Sequence, residues 1–247
     1  MPMEFADHFS RVAARYATYR PTYPPALADE LAARTAPVTA WDVGCGNGQL
    51  SVALASRFAR VIATDPSQSQ IDAAPSHPHV TYQCVTAEDS GLSDASVDLV
   101  VAAQAAHWFD WPRFVTEAGR IARPGALIAL VSYGIVLVEG DAGDIVARYY
   151  HEVVGPYWPK GREHVENGYR DLAMPWPAVE APVLAMEATW TRDELVGYVS
   201  TWSATVKLVE TCGLAPFEEL GRALVAMWPD GERRPIRWPL ALRLARR

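Results

Sequence analysis

A glycine-rich loop near the start of the chain lies between two acidic residues. Residues 42–48 read Asp-Val-Gly-Cys-Gly-Asn-Gly, and Asp65 comes 21 residues after Gly44. Glycines permit a tight turn and a close approach of the backbone to a ligand. An acidic residue at the end of the next strand is placed to accept hydrogen bonds from both ribose hydroxyls of a nucleoside. The combination predicts that a nucleoside-containing cofactor binds over this loop.

The spacing of the loop argues against two common phosphate-binding motifs. A dinucleotide fingerprint would place its third glycine at position 49, which is Gln49, and no Gly-Lys-Ser/Thr follows. A pyrophosphate also needs the positive end of the helix left free for its own charge. Asp42 instead suits a ligand with a positive group, such as an ammonium. A nicotinamide oxidoreductase therefore stays only as an alternative hypothesis.

A histidine follows the strand predicted over residues 97–103. In open parallel sheets, ligands bind at the carboxyl ends of the strands, so His107 is the candidate catalytic residue. It could act as a general base, orient an acidic substrate as a hydrogen-bond donor, or simply anchor a loop. Trp108, Tyr133 and Trp202 are predicted to line the substrate pocket. His77 and His79 have no nearby cluster of partners, so we expect no metal.

The elements that position these residues alternate along the first 133 residues. Apolar runs bounded by turn residues predict strands, and apolar residues at helical spacing predict helices between them. Such alternation indicates parallel strands joined by right-handed crossovers. The predicted strands cover residues 38–43, 60–64, 80–85, 97–103 and 126–132, and the helices cover residues 26–35, 48–58, 67–74 and 111–122.

The alternation stops after residue 133. We predict an inserted cap over residues 134–190, with a helix near 142–154, and a helix that starts at a Thr191–Glu194 capping box. A helix at 216–228 and a period-two strand at 234–244 complete the chain. We expect a single domain, residues 1–247, made of N-terminal lid helices (1–36, including an amphipathic helix over 5–16), a cofactor-binding core (37–133), the cap (134–190) and a C-terminal part (191–247).

Composition excludes several classes of function. The chain has 22 Lys and Arg against 29 Asp and Glu, a net charge of −7, which opposes nonspecific binding to nucleic acid. No apolar run is long enough to span a membrane. Three widely spaced cysteines do not suggest a disulfide framework. We expect a cytoplasmic protein, a monomer or homodimer, that acts on a small molecule.

Several segments together resemble class I S-adenosylmethionine-dependent methyltransferases. The loop at 42–48 resembles their motif I, residues 61–67 motif II, residues 86–89 the adenine-contacting segment and residues 96–109 motif IV. Arg123-Pro-Gly125 opens the fifth strand as in that family. Residues 16–24 and 201–203 are similar to the branch that contains trans-aconitate methyltransferases. The resemblance implies a doubly wound, mostly parallel seven-stranded sheet (a Rossmann-like methyltransferase fold) with an N-terminal helical lid and an inserted cap after strand five.

The resemblance also implies a cofactor, S-adenosylmethionine, with S-adenosylhomocysteine as its product. Gly44, Cys45 and Gly46 would pass under its methionine and ribose, and Asp65 would hold the ribose hydroxyls. Asp42 would lie near the ammonium or order the loop. Gln70, where relatives usually carry an apolar residue, departs from the family pattern. The remaining implied cofactor contacts are Tyr19, Arg20, Ser67, Gln70, Ala87, Glu88 and Gln104.

Methyl transfer from a sulfonium needs alignment and a dry pocket, and it needs a base only where the nucleophile carries a proton. The resemblance favours a carboxylate oxygen as the acceptor atom. A nitrogen or hydroxyl on a heteroaromatic or natural-product ring is the alternative. A second alternative, of a different functional class, is a protein that binds the cofactor without catalysing methyl transfer.

Overall fold

The computed structural model of the protein describes residues 21–247. The chain divides into two compact units. We call residues 22–134, 161–185 and 239–247 the sheet unit, and residues 135–160 and 186–238 the aromatic unit. The helix predicted over residues 5–16 lies outside the described residues, and so do Tyr19 and Arg20.

Strands and helices alternate through residue 133, as predicted. In this part the elements are α1 Pro25–Ala33, β1 Thr39–Val43, α2 Gln49–Leu54, β2 Arg60–Thr64, α3 Gln68–Asp72, β3 Val80–Gln83, β4 Val97–Ala103, α4 Trp111–Ile121 and β5 Ala122–Tyr133. After it come β6 Leu137–Val138, α5 Asp141–Arg148, α6 Arg162–Glu166, β7 Ala178–Val179, β8 Leu184–Trp190, α7 Arg192–Ser200, α8 Ser203–Cys212, α9 Ala215–Met227 and β9 Arg234–Arg246.

The strand order is β3-β2-β1-β4-β5-β9-β6. The first five strands of this order run parallel, and β9 pairs antiparallel with β5 between residues 240 and 246. β7 and β8 also pair with β9. The predicted mostly parallel, Rossmann-like α/β fold is confirmed. The predicted number of seven strands is wrong, because the sheet of the described residues has nine strands, of which β7 and β8 are additional partners of the long strand β9. The strands β1, β4 and β5 read as apolar runs because both of their faces are buried.

The order of the strands reverses between β1 and β4. From β1 the chain moves outward to β2 and β3, and it then returns to β4 on the other side of β1. In α/β sheets a crevice opens at the carboxyl ends of the strands at such a reversal, and ligands bind there. The glycine loop follows β1 and His107 follows β4, so the topology brings both to this point.

The aromatic unit is held together by an aromatic cluster. Neighbouring ring centroids lie 5.0–5.9 Å apart in most of its pairs, and five of the seven residues are buried. Such edge-to-face packing stabilises a core beyond the area it buries. The members are Tyr149, Tyr150, Trp158, Trp190, Tyr198, Trp202 and Trp238.

Some boundaries differ from the predictions. The helix predicted near 142–154 ends at Arg148, and a wider π turn, Tyr149–Val153, follows it. The capping box is present, since Thr191 Oγ1 accepts the Glu194 amide and the Glu194 carboxylate accepts the Thr191 amide. The segment predicted as a cap contributes residues 161–185 to the sheet unit and most of its other residues to the aromatic unit. Five elements were not predicted from the sequence, namely β6, β7, β8, α6 and α8.

Candidate functional site

The glycine loop has a left-handed backbone and one open face. Gly44, Gly46 and Gly48 all have positive φ, at 67°, 55° and 79°. A Cβ on Gly44 would lie 2.4 Å from the Ala105 Cβ, so the loop touches the segment that follows β4. A Cβ on Gly46 would meet only the Gln70 Oε1, at 3.8 Å. The loop is therefore a cradle with room for a ligand above Gly46.

Asp65, at the end of β2, is tied to this loop by backbone hydrogen bonds. Its Oδ2 accepts the Gly46 amide at 2.9 Å, and its Oδ1 accepts the Ser67 amide at 2.9 Å. Burial raises the pKa of the carboxyl, while the two amides act in the opposite direction. An ionised carboxylate has about four acceptor positions, so each oxygen can still accept one hydroxyl. This donor and acceptor pattern fits a ribose.

Asp42 lies beneath the loop, with 1% of its surface exposed. Ser51 Oγ donates to its Oδ2 at 2.6 Å. Burial raises the pKa of this carboxyl to about 7, opposed by the Ser51 hydrogen bond. Of the two roles predicted for Asp42, these contacts support the ordering of the loop.

The Cys45 side chain shares the space beneath the loop. Burial, followed by the nearby Asp42 and Asp65, raises the pKa of its thiol above the ordinary range. The thiol is therefore protonated, which opposes a role as a nucleophile. Its backbone amide donates to the Thr64 carbonyl at 2.9 Å and joins the loop to β2.

Tyr82, on β3, is a residue that the sequence analysis missed. A Cβ on Gly48 would lie 2.4 Å from its hydroxyl oxygen, so Tyr82 requires a glycine at that position. Among residues 21–247, the buried Tyr82 hydroxyl has no hydrogen-bond partner. Burial raises the pKa of this hydroxyl to about 12. Only the pairing of β3 with β2 brings this side chain to the loop, and no motif signals it.

The predicted adenine contacts lie beyond the end of β3. Ala87 is buried, and Glu88 Oε1 accepts the amide of Asp110 at 2.8 Å. Asp110 is the N-cap residue of α4, so Glu88 connects the segment 86–89 to the turn that follows β4. Gln70 on α3 is partly buried and has its side-chain oxygen near Gly46.

The turn after β4 carries a non-glycine residue with a left-handed backbone. Gln104 has φ +56°, and its Nε2 donates to the Tyr133 carbonyl at 2.7 Å. Tyr133, at the end of β5, is buried and packs edge-on against Tyr23 at 6.4 Å between ring centroids. These contacts place Gln104 and Tyr133 side by side at the carboxyl edge of the sheet.

His107 lies in a short 3₁₀ turn, Ala106–Trp108, against residues from 161–169. Its Nδ1 is 3.0 Å from the Tyr169 hydroxyl. Burial, then Arg162 and His164, lowers the pKa of His107 to about 3. The imidazole is therefore neutral across the physiological range.

Gly161 brings α6 close to this histidine. The φ of Gly161 is +90°, and a Cβ there would lie 3.1 Å from the His107 carbonyl oxygen. The segment 161–169 was predicted as cap without assigned residues. Nothing in its local sequence signals that Arg162 and His164 come within electrostatic range of a histidine more than fifty residues earlier.

The two predicted pocket tryptophans lie in different surroundings. Trp108 is 39% exposed, and its ring centroid is 4.8 Å from that of His107. Trp202 is 4% exposed and belongs to the aromatic cluster. Trp202 therefore packs in the core of the aromatic unit, and its place in a pocket wall stays a prediction.

Residues 21–247 contain neither a metal-binding cluster nor a membrane-spanning helix. No group of three or more His, Cys, Asp or Glu side chains in this range is arranged to hold a metal ion. No helix in the same range is both long and apolar enough to cross a membrane.

Comparison with known proteins identifies the family. A family described as a methyltransferase domain matches residues 41–130. A Dictyostelium discoideum protein named as a methyltransferase is 30% identical over 242 residues, which cover 95% of this chain and 92% of that protein. The chain belongs to the class I S-adenosylmethionine-dependent methyltransferases.

Further similarities agree with this assignment. A solved structure of a type II methyltransferase from Anaeromyxobacter dehalogenans is 45% identical and has a TM-score of 0.87. The aligned region covers 92% of this methyltransferase and 98% of the Anaeromyxobacter chain. An uncharacterized methyltransferase of Mycobacterium tuberculosis is 37% identical over 124 residues, about half of each chain. The predicted enzyme class is therefore confirmed.

Proposed function

We propose that this methyltransferase transfers the methyl group of S-adenosylmethionine to a carboxylate oxygen of a small-molecule acceptor. The observation that carries the proposal is the neutral His107 beside Arg162. A histidine whose pKa is lowered to about 3 is a weak base at neutral pH. A carboxylate is already deprotonated there, so it is the acceptor that this site suits best.

The cofactor site would be built on the glycine loop. When bound, the cofactor supplies a methyl group already activated on a positively charged sulfur. Asp65 would accept the ribose hydroxyls with its remaining lone pairs, and the open face above Gly46 would take the adjoining part of the molecule. Ser67, Gln70, Ala87 and Glu88 would surround the adenine side, and Gln104 with the backbone of Gly44 and Cys45 would meet the methionine side.

The acceptor would bind at the edge formed by the turn after β4. Ala105 touches the glycine loop, and His107 follows it by two residues, so acceptor and cofactor would be adjacent. A guanidinium is always charged and presents a planar fork that matches a carboxylate. Arg162 would hold the acceptor's charge, and His107 would orient the attacking oxygen. Tyr133 would close the pocket against water.

One observation favours a second candidate, methylation of a nitrogen or hydroxyl on an aromatic ring. Trp108 is the large exposed aromatic residue next to His107, and its face could stack on a planar acceptor.

Two predictions from the sequence remain part of the proposal. Tyr19 and Arg20, in the part of the chain that the structure does not describe, are proposed to close over the cofactor. Among carboxylate acceptors, trans-aconitate is the first to test.

The first experiment measures cofactor binding by calorimetry. We expect binding of S-adenosylhomocysteine and no heat with NAD. Asp65→Ala should weaken that binding by roughly 1.5–3 kcal/mol, because it removes the acceptor of two hydroxyl hydrogen bonds. Asp72→Ala is the matched control, since Asp72 is exposed on α3 and contacts Gln68. Equal affinity in the two variants would refute the placement of the ribose.

The second experiment identifies the methylated atom. The enzyme is incubated with methyl-labelled cofactor and either trans-aconitate and other small carboxylic acids or hydroxylated and nitrogen-containing aromatic compounds. Methyl esters release labelled methanol in alkali, whereas N-methyl groups and aryl methyl ethers do not. Alkali-labile label from the carboxylic acids supports the proposal. Alkali-stable label obtained only with the ring compounds would replace it with the second candidate.

A further inference from the structure

The hydrogen bond between Tyr169 and His107 has one favourable direction. Tyr169 is fully buried, and its ring stacks on that of His107 at an interplanar angle of 21°. Within residues 21–247, the hydrogen-bond partner of the Tyr169 hydroxyl is His107 Nδ1, at 3.0 Å. If the hydroxyl accepted from an Nδ1–H group, its own hydrogen would be buried without an acceptor, and an unpaired buried donor is costly. The hydroxyl hydrogen therefore points at His107 Nδ1.

This direction determines which nitrogen of His107 carries the proton. A neutral imidazole has one N–H and one bare nitrogen. Because Nδ1 accepts from Tyr169, the proton lies on Nε2. His107 thus presents an N–H group, and not a lone pair, on the side of the ring away from Tyr169.

The backbone around Tyr169 is held in a conformation that a bulky residue seldom adopts. Its φ is +61°. Arg243 donates from Nη1 to the carbonyls of both Tyr169 and Leu172, the latter at 2.6 Å. The Tyr169 amide donates to the His164 carbonyl at 2.7 Å. Left-handed backbone at a non-glycine residue is unfavourable and persists where surrounding contacts over-determine it, often at functional sites.

We propose that Tyr169, held in place by Arg243, fixes His107 as its Nε2–H tautomer, so that His107 donates a hydrogen bond to an anionic acceptor and does not act as a general base. Tyr169 and Arg243 are positioning residues in this scheme. The donor role rests on the proposed carboxylate acceptor, whereas the tautomer does not depend on it.

The charged groups around His107 are consistent with an anion. Arg162 and His164, both from α6, face the ring and disfavour a positive charge on it. Glu166 lies 3.8 Å from Arg162, and Asp171 pairs with His164 Nδ1. With these groups present, the pKa of His107 stays far below neutrality, so the imidazole remains a neutral donor throughout pH 5–9.

The test is nitrogen NMR of histidine-labelled protein without cofactor or acceptor. The signals of His107 are assigned with His107→Gln. In the parent protein we expect Nε2 to be protonated, Nδ1 to be bare, and neither to titrate between pH 5 and 9. Tyr169→Phe should give a mixture of tautomers, because Nδ1 loses its donor. Tyr149→Phe, which removes a buried hydroxyl bonded to Thr205 in the aromatic unit, should leave His107 unchanged.

The parent spectrum alone can overturn the proposal, whether or not the Tyr169 variant folds. Protonated Nδ1, or titration of the ring near neutral pH, would refute it. A tautomer in Tyr169→Phe identical to that of the parent would also refute it.

Kinetic measurements distinguish a failure of the proposed His107 tautomer from a failure of the proposed carboxylate acceptor. With trans-aconitate or another carboxylic acid that the parent methylates, Tyr169→Phe should raise KM about tenfold, the effect of one misplaced hydrogen bond to a charged group. Tyr149→Phe should leave KM unchanged. If the parent methylates no carboxylic acid while His107 is Nε2–H, the proposed function and the donor role fall and the tautomer stands. If carboxylates are methylated and His107 is Nδ1–H, the present inference alone falls.

Discussion

Replacing Asp42 with asparagine should make the protein more resistant to unfolding at neutral and alkaline pH. The carboxyl is buried under the glycine loop, where its pKa rises from 3.8 to about 7 because burial disfavours the charged form. Between these values the folded state holds a proton that the unfolded state has released. The contribution of this group to the free energy of unfolding is therefore fully present below pH 3.8 and is lost as the pH rises to 7.

The size of the change in unfolding free energy follows from the size of the pKa shift of Asp42. Each pH unit in this window lowers the contribution of Asp42 by about 1.4 kcal/mol, which amounts to roughly 4 kcal/mol by pH 7. The amide side chain in Asp42→Asn would not ionise, and its oxygen can still accept the Ser51 hydroxyl. The difference in unfolding free energy between the variant and the parent should therefore grow with pH up to about 7 and then level off.

The assay is guanidinium unfolding of both proteins from pH 4 to pH 8 without cofactor. Carboxylates elsewhere titrate in both proteins, so the difference between the two curves isolates Asp42. Ser51→Ala is the informative companion, because the lost hydrogen bond should raise the pKa of Asp42 further and destabilise the protein most at high pH. A difference between Asp42→Asn and the parent that does not vary with pH would refute the reasoning.

Three further substitutions test other contacts. Gly44→Ala should weaken binding of S-adenosylhomocysteine, measured by calorimetry, at least about tenfold, since φ is +67° and the new Cβ would meet Ala105 at 2.4 Å. Unchanged affinity would contradict the proposal that the cofactor binds on the glycine loop. Tyr82→Phe should unfold in guanidinium with a free energy equal to the parent's or up to about 1 kcal/mol higher, because it removes a buried hydroxyl that has no partner within residues 21–247; a clear loss would reveal a hidden partner. Trp202→Ala should lower the unfolding free energy by about 3–5 kcal/mol, since the ring is 4% exposed in the aromatic cluster; a loss below about 1 kcal/mol would favour the pocket wall instead.

Several features were predictable because their causes are local. Apolar runs that end in turn residues located β1, β2 and β4, and the alternation with helices indicated their parallel order. The glycines at 44, 46 and 48 were recognisable as turn positions, and each has positive φ. The capping box at Thr191 was predicted because both of its partners lie within one helical turn.

The segment after residue 133 was harder to predict because its elements take their stability from distant partners. β8 pairs with β9, some fifty residues later, and its own burial pattern is irregular. The tryptophans there were ambiguous between core and pocket, since an aromatic residue suits both surroundings. Trp202 packs against other rings of the aromatic cluster, and whether it also lines a pocket stays a prediction.

The family, the order of the elements, the glycine loop and the choice of His107 as a candidate could all be inferred from the sequence. What those residues can do chemically depends on the packed structure. Whether Asp42 faces a ligand or the interior depends on Ser51 and the burial around the loop. Whether His107 is a base or a donor depends on Tyr169, 62 residues away, and on Arg243 beyond it. Protonation states and tautomers are properties of surroundings, and the surroundings exist only once distant segments have packed together.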